Sequence, residues 1–113
     1  MDCLFCKIIA GEIPSSKVYE DDYVYAFKDI HPVAPVHIIV IPKKHIESVN
    51  EINEKNSREV QKVLEVIPKV ARIAMVHQKG YRVITNIGEN GGQTVKHLHF
   101  HIIGGKKLGD KLV

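Results

Sequence analysis

One segment constrains the fold more than any other: residues 96–103 read KHLHFHII, with histidine and apolar residues in alternation. Successive side chains of a β-strand point to opposite faces of the sheet. We therefore expect an apolar face made of Leu98, Phe100 and Ile102 and a histidine face made of His97, His99 and His101. Solvated strand faces usually carry Thr, Lys or Glu instead. Three imidazoles in a row indicate metal binding or proton and nucleophile chemistry.

Four further segments have the composition of strands: residues 17–20, 23–28, 36–42 and 81–87. A long amphipathic helix is predicted from residue 57 to about residue 79, with Asn56 or Ser57 as its N-cap and Gly80 after its end. A short helix is predicted over residues 3–10, before Gly11. Strands, one long helix and then more strands predict an α+β fold with an antiparallel five-stranded sheet. We expect the long helix on one face and a single domain over residues 1–113.

Composition excludes several classes of protein. The chain has 113 residues, of which 44% are hydrophobic and 26% charged, values typical of a globular domain. Its net charge of +3 is spread along the chain, which argues against a nucleic-acid partner and suits a small anionic ligand. The longest apolar runs are far too short to span a membrane. The N-terminus lacks a secretory pattern, so we expect a cytoplasmic protein.

The two cysteines, Cys3 and Cys6, form a C-x-x-C motif. In a cytosolic protein this motif indicates a metal or redox site before a structural disulfide. A thioredoxin-type motif follows a strand, and none is predicted before Cys3. The residues alone therefore disfavour a redox role and leave metal binding open.

A glycine-rich loop, residues 88–93 (GENGGQ), precedes the histidine run. Glycines allow the backbone N–H groups of Gly91, Gly92 and Gln93 to point at a phosphate. Thr94 adds a hydroxyl five residues before His99. An anion cradle beside an imidazole nucleophile is typical of phosphoryl or nucleotidyl transfer. A plain hairpin loop is the alternative.

Taken together, these segments resemble the histidine-triad (HIT) family, whose signature H-x-H-x-H stands here as residues 97–101. FCKIIAGEIP, YEDD, AFKDIHPVAPVHIIVIPKKHI and YRVITNIGENGGQTV match the family in order. The pair Gly104-Gly105 after the triad is most similar to the Hint-like branch. GQTVKH also resembles the fragile-histidine-triad branch, which cleaves dinucleoside polyphosphates.

The resemblance implies a homodimer, with the long helix and one strand at its interface, and a purine nucleotide such as AMP or GMP as the ligand. It implies that His99 attacks the α-phosphorus and forms a nucleotidyl-histidine intermediate, with His97 and His101 beside it. Asn86, Gly92, Gln93 and Thr94 would contact the phosphate, and Asp29 the ribose. The implied walls of the base pocket are Phe5, Ile8, Phe27 and Ile30.

Many bacterial members of the family hold zinc near a C-x-x-C motif. The matching residues are Cys3, Cys6, His45 and His97. Two thiolates and two imidazoles make a closed tetrahedral structural site. We expect structural zinc and no organic cofactor, with a pair of buried thiols as the alternative.

The leading functional hypothesis is hydrolysis of purine nucleoside phosphoramidates. A dinucleoside polyphosphate hydrolase is a rival within the enzymes. A nucleotide-binding regulatory module without catalysis is a rival from another class.

Overall fold

The computed structural model describes residues 2–111. Within them, the chain forms an α+β fold whose sheet has five antiparallel strands, as predicted. In chain order the elements are α1 (Leu4–Ile9), β1 (Lys17–Glu20), β2 (Val24–Lys28), β3 (Val36–Pro42), a 3-10 turn (Val49–Glu51), α2 (Ser57–Ile73), β4 (Tyr81–Ile84) and β5 (Phe100–Gly104).

Strand β3 is the centre of the sheet, whose order is β1-β2-β3-β5-β4. Its sequence VHIIVIP is nearly all apolar, and every residue after Val36 is buried. In the register with β5, Ile39 lies opposite His101 and His37 lies opposite Ile103. The last strand in the chain therefore lies directly beside the central one, while β4 is left at an edge.

Helix α2 is shorter than the sequence predicts. It ends at Ile73, and Met75 adopts a left-handed backbone conformation with φ of 61°. The prediction that Gly80 ends the helix is therefore wrong, and Gly80 (φ of 104°) instead precedes β4. Asn56 is the N-cap, but its side-chain oxygen accepts a hydrogen bond from the N–H of Asn53 and not from the helix. No helix within residues 2–111 is long and apolar enough to cross a bilayer.

Two hydrophobic cores lie on opposite faces of the sheet. The larger core joins α2 to one face, and it contains Leu98, Phe100 and Ile102. On α2, Val66 is buried, whereas Leu64 is half exposed. The smaller core joins α1 to the other face; its members are Cys3, Phe5, Ile8, Tyr25, Phe27, Ile39 and Ile41.

The last two predicted strands are longer than the observed ones. Strand β4 ends at Ile84, not at residue 87, and β5 begins at Phe100, not at residue 96. His97 and His99 therefore precede the strand. Their side chains still lie opposite the apolar face, because both contact Phe5 of the smaller core. The predicted separation of the two faces is confirmed.

Candidate functional site

The histidine face lies beneath α1, at the point where the smaller core meets the end of the sheet. His97 and His99 are buried and His101 is partly buried. The ring of Phe5 in α1 stands edge-on to His99, with 5.0 Å between ring centroids, and His99 stands edge-on to His101 at 5.1 Å. Phe5, His99 and His101 therefore form a continuous row of packed rings, and the ring of His97 contacts the same Phe5 at 5.9 Å.

A single hydrogen bond fixes the tautomer of His99. Its Nδ1 lies 2.7 Å from the backbone oxygen of His97. Because a carbonyl oxygen only accepts, the proton is on Nδ1 and the lone pair is on Nε2. Burial, the largest influence, lowers the pKa of His99 below its usual value. The neutral ring with a free Nε2 is the form that can act as a nucleophile near neutral pH.

His101 belongs to a second hydrogen-bonded chain. Its Nδ1 lies 2.9 Å from Nε2 of His37, which is also 3.3 Å from an Asp29 carboxylate oxygen. The N–H of Val33 donates to Nδ1 of His37 at 3.2 Å, so a neutral His37 carries its proton on Nε2. His101 then accepts at Nδ1 and carries its own proton on Nε2. Burial, followed by the neighbouring His99 and His37, lowers the pKa of His101 to about 4.

The four side chains that the sequence assigns to a metal come together at the start of α1. We call them the four-donor site: Cys3, Cys6, His45 and His97. Their ligand atoms all lie within 4.8 Å of one another. Nδ1 of His97 is 3.3 Å from Sγ of Cys3 and 3.2 Å from Nδ1 of His45. Such spacings are close to those between neighbouring ligands of a tetrahedral zinc ion.

The protonation of the four-donor site fits a metal better than a redox centre. His97 donates from Nε2 to the backbone oxygen of Pro42 at 2.8 Å, which leaves the lone pair of Nδ1 facing the cysteines. Burial lowers the pKa of His97 to about 4, so its ring is neutral. Burial and the adjacent Cys3 raise the pKa of the Cys6 thiol to about 11. A redox-active C-x-x-C needs the opposite shift, whereas a bound cation deprotonates the thiol directly.

The glycine-rich loop is closed by its own hydrogen bonds. The N–H of Gly92 donates to Glu89 and the N–H of Gln93 donates to Gly88. In this conformation these two N–H groups therefore bond within the loop, and their contact with a phosphate stays a prediction. Asn86 donates to the Gly91 oxygen at 2.8 Å, so its side chain also supports the loop.

Two side chains next to this loop were assigned to the phosphate as well. The side chain of Gln93 donates to the backbone oxygens of Glu47 and Val95, at 2.7 and 3.0 Å. Through these bonds Gln93 attaches the loop to the segment around Glu47 of the same chain. Thr94 is exposed, and its hydroxyl makes no hydrogen bond with another described residue.

The predicted walls of the base pocket divide into two groups. Phe5, Ile8 and Phe27 are buried together in the smaller core, and the rings of Phe5 and Phe27 are 5.5 Å apart. Ile30 does not join them, since 85% of its surface is exposed. It lies in the loop after β2, beside Asp29.

Two residues that sequence reasoning left out of the site contact it. His37 is not among the predicted site residues, yet it bonds to His101. Its position could have been found, because it precedes Ile39 by two residues on β3 and therefore shares the face of the triad. Thr85 donates to the backbone oxygen of His99 at 2.8 Å. Nothing in the sequence near Thr85 indicates this contact, which depends on the pairing of β4 with β5.

Comparisons with known proteins agree with the geometry. A model of the HIT domain matches residues 10–108. The chain is 42% identical over 111 residues to the purine nucleoside phosphoramidase of Escherichia coli K12, covering 98% of this chain and 93% of that protein.

Two solved structures are similar over nearly their whole length. A HIT family hydrolase from Clostridium thermocellum superposes with a TM-score of 0.95 at 50% identity, covering 99% of this chain and 97% of that one. A histidine triad protein from Clostridium difficile gives 0.93 at 56% identity, covering 98% and 96%. The chain belongs to the HIT family, and within it to the hydrolases.

Proposed function

We propose that the protein hydrolyses purine nucleoside phosphoramidates through a nucleotidyl intermediate on His99. The observation that carries this proposal is the hydrogen bond from Nδ1 of His99 to the His97 oxygen, which leaves Nε2 as the free nucleophile. The resemblance to the Escherichia coli phosphoramidase supports the choice of substrate. AMP and GMP derivatives are the corresponding nucleotides.

In the first step, Nε2 of His99 attacks the α-phosphorus and the bond from phosphorus to the amine nitrogen breaks. The nitrogen takes up a proton from the solvent as it departs, so the amine leaves neutral. His99 becomes cationic, and the hydrogen bond from its Nδ1 to the His97 oxygen then gains charge assistance. In the second step water attacks the phosphorus, the bond to Nε2 breaks and neutral His99 is restored, while the proton lost by the water returns to the solvent.

The other site residues have supporting parts in this proposal. His101 carries a proton on Nε2 and adjoins His99, so we assign it the hydrogen bond to the departing nitrogen. Asp29 accepts the ribose hydroxyls, and Ile30 covers one side of the base. Thr94 contacts the phosphate together with the loop of Gly92 and Gln93, whose internal hydrogen bonds open when the phosphate binds.

The direct test compares adenosine phosphoramidate with a diadenosine polyphosphate as substrates. We expect faster turnover of the phosphoramidate and, after brief mixing, an adenylated peptide that contains His99 on mass analysis. Faster turnover of the polyphosphate would identify a dinucleoside polyphosphate hydrolase. Binding of AMP without any turnover would identify a regulatory module.

We also propose that the four-donor site holds a structural zinc ion. Its two thiolates and two imidazoles complete a tetrahedral set without an open position, so the ion would join α1 to the sheet and take no part in the chemistry. Elemental analysis of protein purified without chelators should give about one zinc per chain. An absence of zinc from such a preparation would refute this assignment.

We propose further that the protein is a cytoplasmic homodimer. Strand β4 is at the edge of the sheet, and its residue Val83 is 42% exposed. The end of α2 adds Ile73 and the adjoining Met75, which are 55% and 84% exposed. Exposed apolar side chains beside an unpaired strand edge are typical of a surface that a second copy covers.

A further inference from the structure

His97 is a member of the four-donor site, and it also contacts His99, the proposed nucleophile. Its ring offers Nδ1 to the cysteines and donates from Nε2 to Pro42, while its backbone oxygen accepts the proton of His99 Nδ1. The next residue, Leu98, donates from its N–H to the oxygen of Ile46, the neighbour of His45. The backbone that orients His99 is therefore held by the two imidazole ligands.

Phe5 makes a second connection between the same two places. It lies between the two cysteines in α1, and its ring is edge-on to His97 at 5.9 Å and to His99 at 5.0 Å. The interplanar angle with His99 is 88°, so the face of one ring meets the edge of the other. Rotation of the His99 ring would require Phe5 to move.

Helix α1 cannot hold Phe5 in place through its own stability. It has six residues, and isolated helices shorter than about 12 residues are marginal in water. It is attached to the sheet by the packing of Phe5 and Ile8 and by two cysteines, the N-cap Cys3 and Cys6 in its first turn. A cation bound by both cysteines and by His45 and His97 would fix α1 to the sheet.

We propose that Phe5 and His97 are positioning residues through which the four-donor site sets the orientation and tautomer of His99. The inference rests on zinc occupancy and on His99 as the nucleophile. With the site filled, the His97 oxygen and the Phe5 ring together hold His99 with its proton on Nδ1. With the site empty, α1 and the His97 backbone relax, and both tautomers of His99 become populated.

The first experiment reads the tautomer without any substrate. Ring ¹⁵N chemical shifts of His99 are measured at fixed pH in the zinc-loaded full chain and in the chain stripped by a chelator under reducing conditions. We expect one Nδ1–H tautomer in the loaded protein and averaged shifts in the stripped protein. Because no nucleotide is present, a failed phosphoramidase assay leaves this result valid.

The second experiment keeps the metal and changes Phe5 alone. Phe5→Leu should retain zinc, move the His99 ring shifts toward the averaged values and lower kcat by about tenfold, with KM changing less. Phe5→Tyr keeps the ring and should restore both the shifts and kcat. Leu4→Ala, which alters an exposed residue of the same helix, is the matched control and should leave both unchanged.

Three results would overturn the inference. One is an unchanged His99 tautomer in a stripped protein that is still folded by circular dichroism. Another is a rise in KM at constant kcat and constant ring shifts in Phe5→Leu, which would make Phe5 a wall of the base pocket only. The third is a chain that takes up no zinc when zinc is added.

Discussion

At the scale of single residues, backbone oxygens decide the chemistry of the histidines. The oxygen of His97 holds the proton of His99 on Nδ1, and the oxygen of Pro42 holds the proton of His97 on Nε2. The two neighbouring histidines therefore leave opposite ring nitrogens without a proton: Nε2 of His99, which we propose attacks a phosphate, and Nδ1 of His97, which we propose binds a metal. The two imidazole rings differ because the backbone oxygen that accepts the proton lies beside Nδ1 in His99 and beside Nε2 in His97.

Removal of the proposed nucleophile should separate catalysis from binding. His99→Ala takes away Nε2, so we expect turnover of adenosine phosphoramidate to fall at least about 10³-fold, while the dissociation constant for AMP changes only about threefold. Steady-state kinetics and calorimetry measure the two quantities. His77→Ala, at an exposed position beyond α2, serves as the control. Substantial activity in His99→Ala would exclude the covalent route.

His101 makes stability depend on pH. Its pKa is about 4 in the folded protein, and about 6.5 is expected in the unfolded chain. Between these values the unfolded state binds more protons, so the free energy of unfolding falls as the pH falls. The contribution of His101 is complete above about pH 6.5 and lost by about pH 4, on the order of 3 kcal/mol.

Urea titrations across this pH range should show that the free energy of unfolding falls less steeply with falling pH in His101→Gln than in the unmodified protein. His77→Gln is the control for the removal of an exposed imidazole and should retain the full slope. Equal slopes for His101→Gln and the unmodified protein would show that His101 titrates normally.

At the scale of elements, the glycine-rich loop is held by close backbone packing. A Cβ on Gly91 would collide with the backbone oxygen of Ile87 and lie 3.0 Å from the Ile87 nitrogen. The loop conformation therefore requires glycine at this position, although Gly91 does not have a positive φ. The same turn is closed by the hydrogen bonds of Asn86 and Gln93.

A substitution in this loop should impair phosphate binding more than folding. We expect Gly91→Ala to lower kcat/KM by about 10- to 100-fold and to shift the melting temperature by only about 2–4 °C. Gly109→Ala is the matched control, because a Cβ there meets nothing within 4 Å. Unchanged kinetics in Gly91→Ala would mean that the loop does not position the phosphate.

At the scale of the whole molecule, the sheet has the larger hydrophobic core on one face and the candidate site on the other. Helix α2 covers one face with the larger core, and the smaller core and the triad occupy the other. The connection through α2 places β4 at the edge and β5 beside β3. This order joins His101 to His37 and leaves the outer side of β4 available to a second copy.

Charge on that edge should break the proposed dimer. Val83→Asp places a carboxylate on the exposed strand, so we expect the mass in solution to change from two chains to one by light scattering. Leu64→Asp, at a half-exposed position of α2 away from β4, tests whether the helix surface also contributes. An unmodified protein that is monomeric at all concentrations would disprove the dimer.

The sequence by itself determined the local and periodic features. Strict alternation separated the histidines from the apolar residues of the last strand, and the composition of VHIIVIP indicated a strand. The C-x-x-C motif and the glycine-rich loop marked two places of interest, since both depend on residues close together in the chain. Ends of elements were less well determined: α2 ends before Met75, whose left-handed backbone no local residue type demands.

Only the tertiary structure decided how these features work together. The pairing of β3 with β5 brings His37 to His101, which is 64 residues away in the chain. Folding of α1 onto the sheet places Phe5 against His99 and brings Cys3 to His97. The protonated nitrogen of each ring depends on which carbonyl or N–H it meets. Such partners are set by long-range packing, and for this reason the sequence named the histidines but not their tautomers.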